Sequence, residues 1–383
     1  MFSLKEKVQK WKKAHEPSIK ELKFILYRIR KSPLSLLGTF IIVFYIIIAV
    51  CAPILAPPNP DWDILKIRNP FIIPDSSNEI DPKPPSPTHP FGITVEGYDI
   101  YYGCVWGTIT AFRVGVMVIA FALIIGILVG ITSGYYGGLV DEILMRFTDI
   151  IICFPGLILA MALVVALPPT LTVQALAIVL PVTVVVALIT LAKILRGIRE
   201  ITQIILLTIT IALIIVSTSM WFNIIPNINV LSIPLTRLDK VLIALVLVGW
   251  PGYARVIRGE VLRARSEDYV EAAKAIGASD LRIITRHIIP NTIYPILILA
   301  SLDIGSVVLT AAALSFLGIG AEPNYADWGQ LVQKCEPYML GADIVRYWYI
   351  WLIPGAFIFT FGLGWNLLGD AVRDILDPTL RRR

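Results

Sequence analysis

Residues 114–132 read VGVMVIAFALIIGILVGIT, nineteen consecutive positions without a charged side chain. As a helix, a run of that length is about 29 Å long, close to the ~30 Å of hydrocarbon in a bilayer. The run is not alone. Apolar stretches of spanning length also begin near Leu34, Ile150, Thr172, Gln203, Val241, Thr292 and Tyr349, which predicts eight transmembrane helices. Composition agrees, with 56% hydrophobic and only 16% charged residues, where a soluble domain carries about 25% charged residues. Lipid, rather than a large aqueous-protein core, is the solvent these blocks suit.

The net charge of +5 matters less than its placement. Ten of the 33 Lys and Arg lie in residues 1–33, ending at the edge of the first apolar run. A basic arm can bind nucleic acid, but one abutting a span reads as a cytoplasmic anchor. Starting inside and crossing eight times puts 1–33, 134–147, 193–200, 254–290 and 371–383 in the cytoplasm. These hold 25 basic residues against seven in the outside segments. Both termini are therefore expected to be cytoplasmic. Within the arm, Ile19, Leu22, Ile25, Leu26 and Ile29 recur at helical spacing. That suits a helix lying on the lipid surface and equally a plain solvated one. Residues 57–90 hold ten prolines and read as an extended outside loop, a partner contact or a passive linker. Cys51, Cys104, Cys153 and Cys335 show no metal spacing and read as packing residues, with a Cys104–Cys335 bridge as the one alternative.

The inside loop 254–290, ARVIRGEVLRARSEDYVEAAKAIGASDLRIITRHIIP, is too polar to span and well punctuated. Residues 268–276 read as a short helix. Glu267, Asp268 and Glu271 suit the positive end of its dipole, and Gly277 follows where a left-handed cap is wanted. Ser279 suits the N-cap of a second helix running to Ile289, which Pro290 would stop before the next span. Tyr269, Ala273 and Ile276 fall on one face of the first helix, and Ala272 and Ala273 are small enough for another surface to approach. The helix reads as a knob for a groove, or as an amphipathic helix on lipid.

The residues favour the first. Glu271-Ala272-Ala273 followed by Gly277 resembles the EAA signature of permeases from binding-protein-dependent ATP-binding-cassette importers. His287-Ile288-Ile289-Pro290-Asn291 resembles the dipeptide/oligopeptide branch. Gly134-Tyr135-Tyr136-Gly137-Gly138, Asp141-Glu142, Met145-Arg146, Asp149 and Phe154-Pro155 continue the likeness. So do Gly249 to Arg255, Leu314 to Gly318, Trp328-Gly329, Asn366 to Asp370 and Arg373-Asp374 with Leu376-Asp377-Pro378. The series covers most of 89–167 and 241–381. Thr94, Tyr98 and Ala311 stand where the family usually has Asp, Arg and Glu. Residues 168–240 exceed the usual connection by about seventy residues.

The resemblance implies an all-α polytopic bundle with about six core spans, plus two extra ones in 168–240. Its parts are the arm 1–33, a first span 34–56, an extracytoplasmic loop 57–105, a permease domain 106–370 containing the coupling loop 254–290, and a tail 371–383. It implies a cell-membrane transport subunit whose Tyr269, Glu271, Ala272, Ala273, Ile276 and Gly277 couple to two ATPase subunits. A second, related permease and an extracytoplasmic solute-binding protein complete the assembly, surrounded by lipid and without nucleic acid. Peptides are the expected cargo, with oligosaccharides or nickel chelates as alternatives and a non-transport scaffold as a distant one.

No Gly-rich phosphate loop with a following Lys, no His-Glu-x-x-His and no Gly-x-Ser-x-Gly appears. No catalytic residue, metal or cofactor is therefore expected on this chain, and ATP and Mg belong to the partners. Asp303 is the one carboxylate deep in an apolar run. An ionised group at mid-bilayer costs roughly 2.5–3.5 kcal/mol on insertion scales. It should face the translocation pathway or a polar partner, and the sequence leaves both open.

Overall fold

The computed structural model describes residues 30, 32–58, 69–74, 81–174, 183, 201–221, 229–339 and 344–376. The amphipathic arm helix, the basic turn at 193–200 and the tail from 377 lie outside these residues. The chain divides into two compact units, one of 1–166 with 237–383 and one of 167–236.

In the larger unit, α1 is Pro33–Leu55. Its Pro at the first helical position needs no donor there, and the Ser32 hydroxyl accepts from the Ser35 amide at 3.4 Å. Next, α2 runs from Ile100 to Tyr136, starting well before the apolar run because Asp99 caps it through the Tyr102 amide at 3.0 Å. After Gly137 come α3 (Gly138–Ile152) and α4 (Gly156–Ala166), bent by 92°. The span expected from Ile150 is thus corrected to a broken pair. Pro155 keeps Phe154 out of the helical region, and α4 alone is only about 16 Å long.

The smaller unit carries a second correction. The span expected from Thr172 does not start as a helix: β1 (Thr170–Gln174) pairs antiparallel with β2 (Asn229–Pro234), Thr170 opposite Pro234 and Gln174 opposite Asn229. Thr, Leu, Thr and Val alternate on a period of two after Pro168-Pro169, a strand signal that the apolar average conceals. Between the strands, α5 (Ile201–Trp221) is 21 residues long, about 31 Å. The ribbon brings Thr170–Gln174 and Asn229–Pro234, the two ends of the insert, side by side.

The larger unit resumes with α6 (Arg237–Arg265), α7 (Asp268–Ala275) and α8 (Asp280–Ile283). A π-helical turn at Ile284–Ile288 then leads without interruption into α9 (Ile289–Phe316). Pro290 does not stop this helix. Widening the preceding turn relieves the clash between its ring and the carbonyl one turn back. Two short helices, α10 (Trp328–Gln333) and α11 (Glu336–Met339), precede α12 (Trp348–Leu376). Among the described residues five stretches are long and apolar enough to cross a membrane, or six if the bent pair counts as one. The protein is a multi-pass membrane protein.

Small residues decide the closest approach. Gly126, Gly130 and Gly134 recur every turn along α2, and α6 lies against them: a Cβ on Gly130 would sit 2.6 Å from the Ala254 carbonyl oxygen. Midway along α1, Tyr45 packs on Phe357 and Phe361 of α12, its hydroxyl donating to the Phe357 carbonyl at 3.0 Å. Of the Pro-rich loop, the described residues 69–74 pack on the turn after α9. Phe71 stacks on Tyr325 at 5.3 Å, and the Ile73 amide donates to the Asn324 carbonyl at 2.8 Å. Cys104 and Cys335 are both buried and unbridged.

Candidate functional site

The 254–290 loop is built as a mounted knob. Asp268 and Glu271 occupy the first turn of α7 and Lys274 the last, each complementing the helix dipole. The helix ends in a Schellman cap: the Gly277 amide donates to Lys274 at 2.9 Å and the Ala278 amide to Ala273 at 3.1 Å, with Gly277 at φ +78°. Ser279 stands at the N-cap of α8 but its hydroxyl makes no cap bond; only its carbonyl accepts, from Ile283.

The expected Tyr269–Ala273–Ile276 face is corrected. Val270 and Ala273 point inward, against Ile257, Val261, Ile283 and Ile288, whereas Ile276 is 85% exposed. The helix needs its own anchor, and Val270 with Ala273, three residues apart, supply it. Outward lie Glu271, Ala272, Ile276 and the neighbouring Leu281, itself 73% exposed, with Tyr269 leaning on the His287 ring. An exposed isoleucine and leucine beside an alanine form an apolar contact surface at one end of the bundle.

Charged pairs brace this mount. Arg258 of α6 grips Asp141 of α3 through Nε and a terminal nitrogen, both at 2.6 Å, and the Ser133 hydroxyl donates to the same carboxylate. Arg255 reaches Asp149 at 2.6 Å, and the Tyr135 hydroxyl donates to Asp280 of α8 at 2.6 Å. Motif fragments more than a hundred residues apart therefore meet around the loop. A single sequence displays each fragment but not the pairing.

Asp303 lies on α9 and accepts the Tyr253 hydroxyl at 2.7 Å; Tyr253 itself is buried on α6. Ser306 and Thr310 follow on the same side of α9, giving it a polar stripe with Asp303. At the far end of the bundle, Asp327 caps α10 through the Gly329 amide at 2.9 Å and accepts from the Ser315 hydroxyl. Burial pushes its carboxyl above the ordinary carboxylate range, and the Ser315 and Gly329 donors pull it back. Asp327 was legible as an Asp before Trp328-Gly329, yet its burial was not. Lys334 pairs with Glu96 and sits 4.6 Å above the Tyr98 ring, a cation held against the aromatic face. Among the described residues no three His, Cys, Asp or Glu side chains gather as a metal site.

The profile of the inner-membrane component of binding-protein-dependent transport systems matches residues 126–382, from the glycine stripe of α2 through the mounted loop and α12. The chain belongs to this family. A profile for the N-terminal transmembrane domain of oligopeptide transport permease C matches residues 22–85 of this permease. A probable D,D-dipeptide transport system permease protein of Escherichia coli K12 is 31% identical to it, over 92% of this chain and 90% of its own. A dipeptide transport system permease protein of Alkalihalophilus pseudofirmus is 29% identical, over 92% and 88%. An oligopeptide transport system permease protein of Bacillus subtilis is 28% identical, over 97% and 93%.

Proposed function

We propose that this chain is one of two related permease subunits of a cell-membrane importer for short peptides. A solute-binding protein delivers cargo from outside, and two ATPase subunits on the cytoplasmic side bind ATP and Mg and drive the cycle. Both termini of this chain are cytoplasmic, and the chain binds no cofactor. The observation that carries the reading is α7, anchored inward by Val270 and Ala273 while Ala272, Ile276 and Leu281 stand open beside it. A surface of that kind suits a groove that receives it, and a ligand-driven subunit can shift the permease only through contacts that differ between its two states. The names of the relatives support peptide cargo; no relative cited above favours oligosaccharides or nickel chelates.

The division of labour is tested with purified components in vesicles. ATP hydrolysis is expected only when the ATPase subunits are present, with binding protein and peptide stimulating it. Hydrolysis by this chain alone would overturn the assignment.

Asp303, with Ser306 and Thr310, faces the water-filled path in this reading. Asp303→Asn keeps an oxygen to accept the Tyr253 hydroxyl, so insertion and thermal stability should persist while peptide uptake falls several-fold. Unchanged uptake for every peptide tried would leave Asp303 a structural group only.

In the insert, two crossings keep the coupling loop inside and put the basic turn 193–200 there as well. Single cysteines replacing Gly197 and Asn227, in a chain stripped of its own cysteines, should label from the cytoplasm and from outside respectively. Labelling from one side would make the insert a re-entrant pair.

A further inference from the structure

At the end of the bundle opposite α7, a cleft of about 510 Å³, open mouth included, lies between the start of α6, the turn after α9 and the side of α10. About 210 Å³ of it is room for bound atoms, less than the ~300–1,000 Å³ of sites for drug-sized ligands and enough for one end of a chain. Ser315, whose hydroxyl is committed to Asp327, lines it, and the chain bends around it at Gly318, φ +79°, and Asn324, φ +65°. Its charged lining is cationic only, from Arg237 and Lys334, and its amides are those of Asn324, Gln330 and Gln333.

The nearby acids already have partners. Glu322 accepts the Arg237 backbone amide at 2.6 Å, and Glu96 holds Lys334. Gln330 donates to the Ala321 and Glu322 carbonyls. That leaves the Arg237 guanidinium and the Asn324 and Gln333 amides without hydrogen-bond partners among the described residues. A planar fork of donors beside two carboxamides is the chemistry that reads a carboxylate and the peptide bond preceding it. In a concave site, a chain end can enter where a protein surface cannot.

We propose that this cleft receives the C-terminal carboxylate of the peptide cargo on the outer side, Arg237 bonding the carboxylate and Asn324 and Gln333 the last peptide group. The proposal rests on the peptide-importer reading and on the orientation given with it.

The complete transporter in vesicles, with saturating binding protein, takes up trialanine or trialanine amide, and the binding protein's own affinity for each is measured separately. The wild type is expected to show an apparent KM roughly tenfold lower for the free acid after that correction. Arg237→Gln should raise the free-acid KM to the amide's value and leave the amide unchanged, and Arg237→Lys should recover part of the difference. Arg237 is exposed and its backbone bond to Glu322 survives either change, so folding is preserved; uptake of the amide by each variant verifies it. Equal losses for both peptides would assign Arg237 to docking of the binding protein and overturn the proposal. No change for either peptide, or no discrimination by the wild type, would overturn it as well. Uptake of neither peptide by the wild type would sink the peptide reading itself.

Discussion

Exchanging Gly130 for leucine is expected to prevent α2 and α6 from assembling. A bare Cβ at Gly130 would already lie 2.6 Å from the Ala254 carbonyl oxygen and 2.8 Å from the Ile257 Cβ. Both obstacles belong to the body of a helix, so no side-chain rotation relieves them. Overpacking in a well-packed core costs roughly 1–3 kcal/mol where neighbours can shift. Here the two helices would have to part along several turns, and the cost should reach at least the top of that range, ~3 kcal/mol. Purified protein should show a Tm many degrees lower and a poor yield from the membrane. Gly252→Leu is the control, on the partner helix but with nothing within 4 Å of its Cβ. A Gly130→Leu protein as stable as the Gly252→Leu protein would show that α2 and α6 do not approach this closely.

That glycine stripe marks the limit of what the sequence displays. Gly126, Gly130 and Gly134 at spacing four announce a close helix contact, but not that α6 makes it. The spans were legible because hydrocarbon demands long apolar runs, and a run such as 114–132 has no other use. Where a run is apolar for another reason, the signal misleads. Thr170–Gln174 opens a run whose average is that of a span but itself alternates as a strand does, and pairing with Asn229–Pro234, 55 or more residues away, decides between them. Around Phe154-Pro155 the apolar average bridges a 92° bend that one proline imposes.

The 254–290 loop was legible for a different reason. Its caps are local chemistry: a glycine after the last turn, acids in the first. Gly277 and the dipole-matched Asp268, Glu271 and Lys274 stand where local rules put them. The inward and outward faces of α7 were not, because an eight-residue helix offers too few positions for periodicity to choose between Val270 and Ile276. Nor could the sequence join Arg258 to Asp141, or Asp303 to Tyr253. Each pair is made by tertiary packing across 117 and 50 residues. The sequence showed an isolated carboxylate in a span; the fold supplies the phenol that steadies it.

Replacing Gly277 with valine should cut peptide uptake without removing the protein from the membrane. Nothing lies within 4 Å of the Cβ that any residue would add there, so bulk is not the difficulty. The backbone is: φ is +78°, a region that costs an ordinary L-residue on the order of 1–2 kcal/mol and a β-branched one more. The chain escapes that strain by unwinding the cap. The bonds from Gly277 to Lys274 and from Ala278 to Ala273 are then lost, and with them the fixed angle between α7 and α8. Ile276 and Leu281, on either side of the cap, would no longer form one surface. A shift of 1–2 kcal/mol changes the population of the docking-competent form by roughly 5–30-fold, and uptake should fall in proportion. The bundle is untouched, so insertion and Tm should stay near the wild-type values. Gly277→Asn separates strain from mere substitution, since asparagine enters the left-handed region far more readily; it should transport nearly as well as the wild type. Normal uptake by the valine variant would mean that the cap does not hold the surface proposed to meet the ATPase.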